Sequence, residues 1–166
     1  TYRNQNMKKI SLFLALLAPG IIYADILLHV GNLIDTDSGD ISKAVTIRIK
    51  GNKISEVTKG YAISKKGDEA VDLKQSYVLP GFMDMHVHLA QEYVPKAERQ
   101  SKIEPEYRAI FAANAASKTL MAGFTSVRNL GDGGMETISL REAIKQGLAI
   151  GPRIFTSGKT IATTGG

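Results

Sequence analysis

The chain has 166 residues, of which 43% are hydrophobic and 22% charged. That is globular composition at a length of about one domain, and it excludes disorder and collagen-like repeats. With no Cys, a disulfide scaffold, a thiolate zinc site and a thiol nucleophile are excluded as well. The formal charge of +5 is front-loaded: Arg3, Lys8 and Lys9 precede residue 25, after which 18 basic residues face 16 acidic ones, a balance of +2 too small to point to nucleic acid.

The first element is an export signal. Met7-Lys8-Lys9 leads into an apolar run from Ile10 to Leu17 broken only by Ser11, then Pro19-Gly20 and Ile21-Ile22-Tyr23-Ala24. A basic start, a short apolar core, a helix break and a small residue make a secretory leader, residues 7–24, with cleavage expected after Ala24. A membrane anchor needs roughly 20 unbroken apolar residues, so no stable anchor is expected after cleavage, and the product is expected in the periplasm or outside the cell. Thr1 to Asn6 do not fit such a leader, so the natural start is expected at Met7. No Cys follows the cleavage point, which argues against a lipid anchor.

From Asp25 to about Val78 the pattern is that of strands. Ile26 to Val30 is a short apolar run closed by the turn signal Gly31-Asn32. Val45, Ile47 and Ile49 alternate with Thr46, Arg48 and Lys50, and Gly51-Asn52 then joins them to Lys53 to Val57 in a two-residue β-hairpin. Val71-Asp72-Leu73 reads as a further strand, and the charged stretch Lys65 to Glu69 as a solvated loop. His29 lies in an apolar stretch and is expected to be structural.

After Leu79-Pro80-Gly81 the pattern changes. Phe82 to Leu89 is a strand. Glu104 to Ala122 is a helix, with Pro105 in its first turn, Tyr107, Ile110, Phe111, Leu120 and Met121 at helical spacing, and Gly123 at its end. Thr125 to Leu130 is a strand. Ser139 and Glu142 form a capping box that opens a helix running to about Leu148, and Arg153 to Ser157 is a strand. Strand–helix–strand–helix–strand is an α/β pattern with a parallel sheet. The chain runs off in loop-type residues at Thr163 to Gly166. Three parallel strands leave an open edge, so this is expected to be the front part of a longer protein.

The chemistry is concentrated on Phe82-Met83-Asp84-Met85-His86-Val87-His88-Leu89. By strand alternation Met83, Met85, Val87 and Leu89 form an apolar face suited to packing under helices, and Phe82, Asp84, His86 and His88 form the other. Two imidazoles two residues apart can converge on one ion, and neutral imidazole is a common ligand for zinc and similar metals. The competing reading is a pair of surface histidines on an edge strand; the continuous apolar face opposite argues against it. Asp84 sits deeper, where it supports a ligand or accepts backbone hydrogen bonds.

The run from Leu79 to His88 resembles the first barrel strand of the amidohydrolase superfamily. Gly51-Asn52-Lys53-Ile54 is similar to that family's sandwich hairpin and Gly123 to Gly131 to its second strand. Gly151 to Gly158, with Thr164-Gly165-Gly166, resembles the branch of imidazolonepropionase-related enzymes and secreted prolidase-like dipeptidases. The resemblance implies residues 25–79 as the N-terminal part of a β-sandwich and 80–166 as the first three βα units of a truncated (β/α)8 TIM barrel. It implies His86 and His88 as metal ligands, one or two divalent ions (zinc foremost), and hydrolysis of an amide C–N bond in a dipeptide or cyclic amide by metal-activated hydroxide. The other expected elements, a carboxylated Lys or a Glu, further His and a general-base Asp, belong to later strands, so no catalytic base is expected before Gly166 and the chain alone is expected to be inactive. Asn129 stands where that branch often has Asp. Arg128, near the same rim, is expected in a structural ion pair rather than on a substrate carboxylate. Two alternatives remain at this point: an exported metal-binding module without turnover, and an inert truncated product.

Overall fold

The computed structural model describes residues 24–91 and 104–163. The leader up to Tyr23 and the closing Thr164-Gly165-Gly166 therefore lie outside the described residues. The chain divides into two compact units between Val78 and Leu79.

The first unit is a four-stranded sheet of β1 (Ile26–Ile34), β2 (Ile41–Lys50), β3 (Lys53–Lys59) and β4 (Glu69–Val78), in the order β3-β2-β1-β4. β2 and β3 form the expected hairpin around Gly51-Asn52, with Lys50 opposite Lys53. β1 pairs antiparallel with β2 and parallel with β4. Val30, Val45 and Ile47 form the buried centre of one face, flanked by Leu28, Leu33, Ile49, Leu73 and Val78.

Gly31-Asn32 is not a turn. β1 runs straight through it to Ile34. The register with β4 slips here: Val30 pairs with Leu73 but Asn32 with Tyr77. A Cβ on Gly31 would lie 1.9 Å from the Lys74 carbonyl oxygen. Glycine is present because another backbone passes over it, which in sequence is indistinguishable from a turn.

At the start of the unit, Arg48 gathers Asp25 at 2.8 Å, Glu56 at 3.5 Å and Asp68 at 3.7 Å. The Lys65 amide, which donates to Asp68, is the main reason that the Asp68 carboxyl titrates below its ordinary range; the Asp25 amide and Arg48 act in the same direction. His29 bonds through Nε2 to the Ala62 carbonyl at 3.0 Å and lies against the Tyr61 ring.

The second unit is a parallel sheet of β5 (Phe82–Val87), β6 (Phe124–Asn129) and β7 (Arg153–Thr156), in the order β5-β6-β7. Helix α1 (Pro105–Met121) connects β5 to β6, and α2 (Glu136–Lys145) connects β6 to β7. Leu89, Ala90, Ala112, Ala116, Val127, Leu140 and Ile154 are its buried core. The large apolar residues of α1 do not lead its packing. Ala112 and Ala116 are buried, while Tyr107, Ile110 and Met121 are exposed. Among the described residues no helix is long and apolar enough to cross a membrane.

Helix α2 starts a turn earlier than the capping box predicts. It opens at Glu136 after Met135, with no side-chain cap. Tertiary contacts set this start. Glu136 is buried and pairs with Arg108 of α1 at 3.1 Å, and the Thr137 hydroxyl meets that of Thr156 on β7 at 2.9 Å. Glu142 does not reach back to Ser139. Arg141, and then Lys145, hold its carboxylate and draw its pKa below the ordinary range. A capping motif is worth about 1 kcal/mol, which a helix end docked on two neighbours overrides.

Candidate metal centre

His86 and His88 lie at the carboxyl end of β5, the end at which parallel α/β folds place their sites. Their rings are neighbours, with centroids 5.5 Å apart and planes inclined at 68°. The strand does not reach them by simple alternation. Asp84 pairs with Val127 and Val87 with Asn129, so β5 carries one residue more than β6 across this interval. This is a β-bulge at Met85 and His86, a device that re-aims side chains beside sites.

The peptide between Met85 and His86 is held at both ends by side chains. Its carbonyl accepts from Arg128 Nε at 2.8 Å. Its N–H donates to Asp84 Oδ1 at 3.0 Å. Backbone groups displaced from a ladder need such partners. Asp84 therefore supports the His86 backbone, one of the two roles that its depth in the strand allows. Arg128 departs from expectation: it makes no ion pair among the described residues, and its guanidinium clamps the bulge carbonyl instead.

The apolar face expected on β5 is only half realised. Leu89 is buried and Val87 half-buried, but Met83 is 69% and Met85 53% exposed. β5 is an edge of the described sheet, and among the helix–strand contacts α1 packs on β6 and α2 on β7.

His88 is oriented through its ring. Nδ1 lies 2.6 Å from the Gly131 carbonyl oxygen. A carbonyl only accepts, so Nδ1 carries a proton, which in a neutral imidazole leaves the lone pair on Nε2. This is the arrangement by which metal-binding histidines are usually fixed. Together with the adjacent His86 ring, it fits a divalent ion held by two imidazoles. Two donors do not complete a site, and among the described residues no group of three or more His, Asp or Glu is placed to hold a metal.

Around this pair lies a buried polar cluster. Asn129 and Asp132 are each 1% exposed. Asn129 Oδ1 accepts from the Leu89 amide at 2.8 Å, and its Nδ2 donates to Asp132 Oδ2 at 2.6 Å. Asp132 Oδ1 accepts from the Ala90 amide at 3.2 Å. Asp132 is absent from the sequence reading. The available signal is an acidic residue in Gly131-Asp132-Gly133-Gly134, just past the carboxyl end of a buried parallel strand.

The amidohydrolase family matches residues 77–165. No curated protein matches the chain. Among solved structures, a Xaa-Pro dipeptidase with methionine bound in its active site is 49% identical, with a TM-score of 0.80, over 86% of this chain and 35% of its own. A prolidase complexed with N-methylphosphonate-L-proline is 33% identical, with a TM-score of 0.75, over 86% of this chain and 34% of its own. An amidohydrolase is 29% identical, with a TM-score of 0.74, over 86% of this chain and 33% of its own. The chain thus spans about a third of the length of these structures, and its parallel unit is an incomplete barrel of their kind. With the family matched over more than half of its residues, the chain belongs to the amidohydrolase family.

Proposed function

We propose that this chain is the amino-terminal part of an exported, metal-dependent dipeptidase that cleaves the amide bond of Xaa-Pro substrates. The observation that carries the reading is the His86–His88 pair at the carboxyl end of β5, with His88 Nδ1 bonded to the Gly131 carbonyl. The substrate class is supported by the Xaa-Pro dipeptidase and prolidase among the similar structures.

His86 and His88 would contribute two ligands to one or two divalent ions, for which the imidazole donors favour zinc. When bound, such an ion lowers the pKa of a water and polarises the scissile carbonyl. The work of this chain is to hold the two imidazoles in place. Asp84 and Arg128 fix the peptide that precedes His86 Cα, and the Gly131 carbonyl fixes the His88 ring.

The test is hydrolysis by the full-length protein. A panel of Xaa-Pro dipeptides beside dipeptides lacking proline is expected to show preference for the former. Chelation is expected to remove activity and added Zn2+ to restore it. Full activity in a metal-free preparation would overturn the reading.

Export completes the proposal. The leader ending at Ala24 is followed at once by a residue that belongs to the fold. Asp25 meets Arg48 through its carboxylate at 2.8 Å, and its carbonyl accepts from the Glu69 amide at 2.9 Å. Cleavage after Ala24 would leave both contacts intact. It would also turn the Asp25 amide, 3.3 Å from Asp68 Oδ1, into an α-ammonium beside a carboxylate. N-terminal sequencing of the protein from a bacterial periplasmic fraction is expected to begin at Asp25. Retention of Met7 in a cytoplasmic fraction would contradict export.

A further inference from the structure

We propose that Asn129 and Asp132 are positioning residues that set the orientation of His88. The inference rests on the reading of His86 and His88 as ligands. Its basis is separate: a buried network that grips the chain on both sides of that imidazole.

The two amides that follow His88 are taken by two side chains. Leu89 N–H donates to Asn129 Oδ1 and Ala90 N–H to Asp132 Oδ1. Just before His88, the Val87 carbonyl accepts from the Leu130 amide at 3.1 Å. The His88 ring itself bonds to the carbonyl of Gly131, which lies between Asn129 and Asp132 in sequence. Backbone and ring of His88 are thus held by one four-residue segment, Asn129 to Asp132.

That segment is fixed in turn by the chain just past β7. Asp132 N–H donates to the Gly158 carbonyl at 2.9 Å, and the Asp132 carbonyl accepts from Thr160 N at 3.0 Å and Thr160 Oγ1 at 3.1 Å. Gly131 has φ +128°, and a Cβ there would meet Thr160 Cα at 2.6 Å. No other residue type fits the loop that presents the carbonyl.

The donor and acceptor pattern admits one arrangement. A backbone N–H only donates, so Asn129 must turn its oxygen to Leu89. A carboxylate only accepts, so the Asn129 amide nitrogen must face Asp132. Asp132 needs both oxygens, one for Ala90 and one for Asn129. Among the described residues Asp132 has no salt bridge, so hydrogen bonds alone compensate its burial. Strand pairing alone would not need a buried carboxylate, which is costly to leave imperfectly satisfied. What this network adds is a fixed carbonyl at one imidazole nitrogen.

Reciprocal exchange provides the test. Asn129→Asp opposes two carboxylates at a 2.6 Å contact. Asp132→Asn gives one oxygen where two are required. The double variant Asn129→Asp, Asp132→Asn restores the bonds to Leu89 and Ala90 and the bond between the two side chains with the roles exchanged. Asp at 129 accepts from Leu89 and from Asn at 132, whose oxygen accepts from Ala90, while the 3.4 Å contact of position 129 with the Thr156 hydroxyl is kept only with that hydroxyl as donor. The full-length protein is labelled with 15N-histidine, and the His88 ring signals are assigned by their loss in His88→Asn. The metal-free spectrum reads which ring nitrogen carries the proton, and Zn2+ affinity is read by competition with a chelator. Wild type is expected to show protonated Nδ1. Each single variant is expected to lose that preference and about 10- to 100-fold in affinity, the usual cost of a lost supporting partner. The exchanged pair is expected to recover both.

Wild-type protein without protonated Nδ1 on His88 would overturn the inference. So would folded single variants that keep the wild-type ring signals and affinity, and so would an exchanged pair that fails to fold or to restore the ring signals. The ring signals are read without metal. A protein that binds no Zn2+ therefore refutes the ligand reading while the spectrum still decides the orientation of His88.

Discussion

Replacing His86 and His88 together by alanine is expected to abolish both tightly held metal and turnover in the full-length protein. The rings are adjacent, with centroids 5.5 Å apart, at the strand end where parallel folds open their sites. A zinc site uses about four protein or solvent donors, so loss of two imidazoles removes up to half of the ligand field, and no described His, Asp or Glu cluster offers a replacement. Asp84→Asn provides the contrast. Asp84 bonds to the His86 amide at 3.0 Å, a bond that an asparagine oxygen can still accept with less strength, since charged acceptors form the stronger bonds. Metal should weaken by no more than the 10- to 100-fold typical of supporting partners, with some ion retained. Elemental analysis beside dipeptide hydrolysis reads both effects. A double-histidine variant with its full metal complement would show that this strand does not hold the ion.

What was legible in the sequence follows the range of the forces involved. The β2–β3 hairpin is written in an alternating strand and a Gly-Asn turn a few residues long, and α1 in a Pro at its start and a Gly past its end. The strand–helix–strand–helix–strand order and the adjacency of His86 and His88 are equally local. Where a distant partner decides, the sequence misleads. Gly31 imitates a turn because the carbonyl that excludes a side chain belongs to Lys74, on β4. Ser139 and Glu142 imitate a helix start because the contacts that open α2 at Glu136 come from Arg108 and Thr156.

The candidate site shows the same division. The histidines can be found by spacing, but the bulge that aims them cannot, since it exists only in the register of β5 against β6. Asn129 could be noticed only as a deviation from a family pattern. Its function as a bridge between Leu89 and Asp132 depends on a contact across 40 residues of sequence.

Residues 25–166 produced alone are expected to be loosely packed and without hydrolase activity. Parallel sheets are normally covered on both faces, and here the described sheet has three strands with β5 and β7 at its edges. The apolar side chains that such a sheet should bury are in solvent: Met83 is 69%, Phe155 59% and Phe82 50% exposed. Ile110 on α1 and Ile150 in the connection from α2 to β7 repeat the pattern, 71% and 67% exposed. Full burial of side chains of this size is worth about 1.5–3 kcal/mol each, comparable over several residues to the 5–15 kcal/mol net stability of a typical domain. An unpaired edge strand also invites association between chains. The first unit has its own small apolar centre at Val30, Val45 and Ile47, so secondary structure should survive in part. Far-ultraviolet circular dichroism is therefore expected to show α/β content, with a weak near-ultraviolet signal, dye binding and no sharp thermal transition, the signature of a molten state. With two imidazoles and no described third donor, Zn2+ affinity should fall far below that of the full-length protein. A monomer with a cooperative melt and turnover of Xaa-Pro dipeptides would show instead that three strands and two histidines suffice.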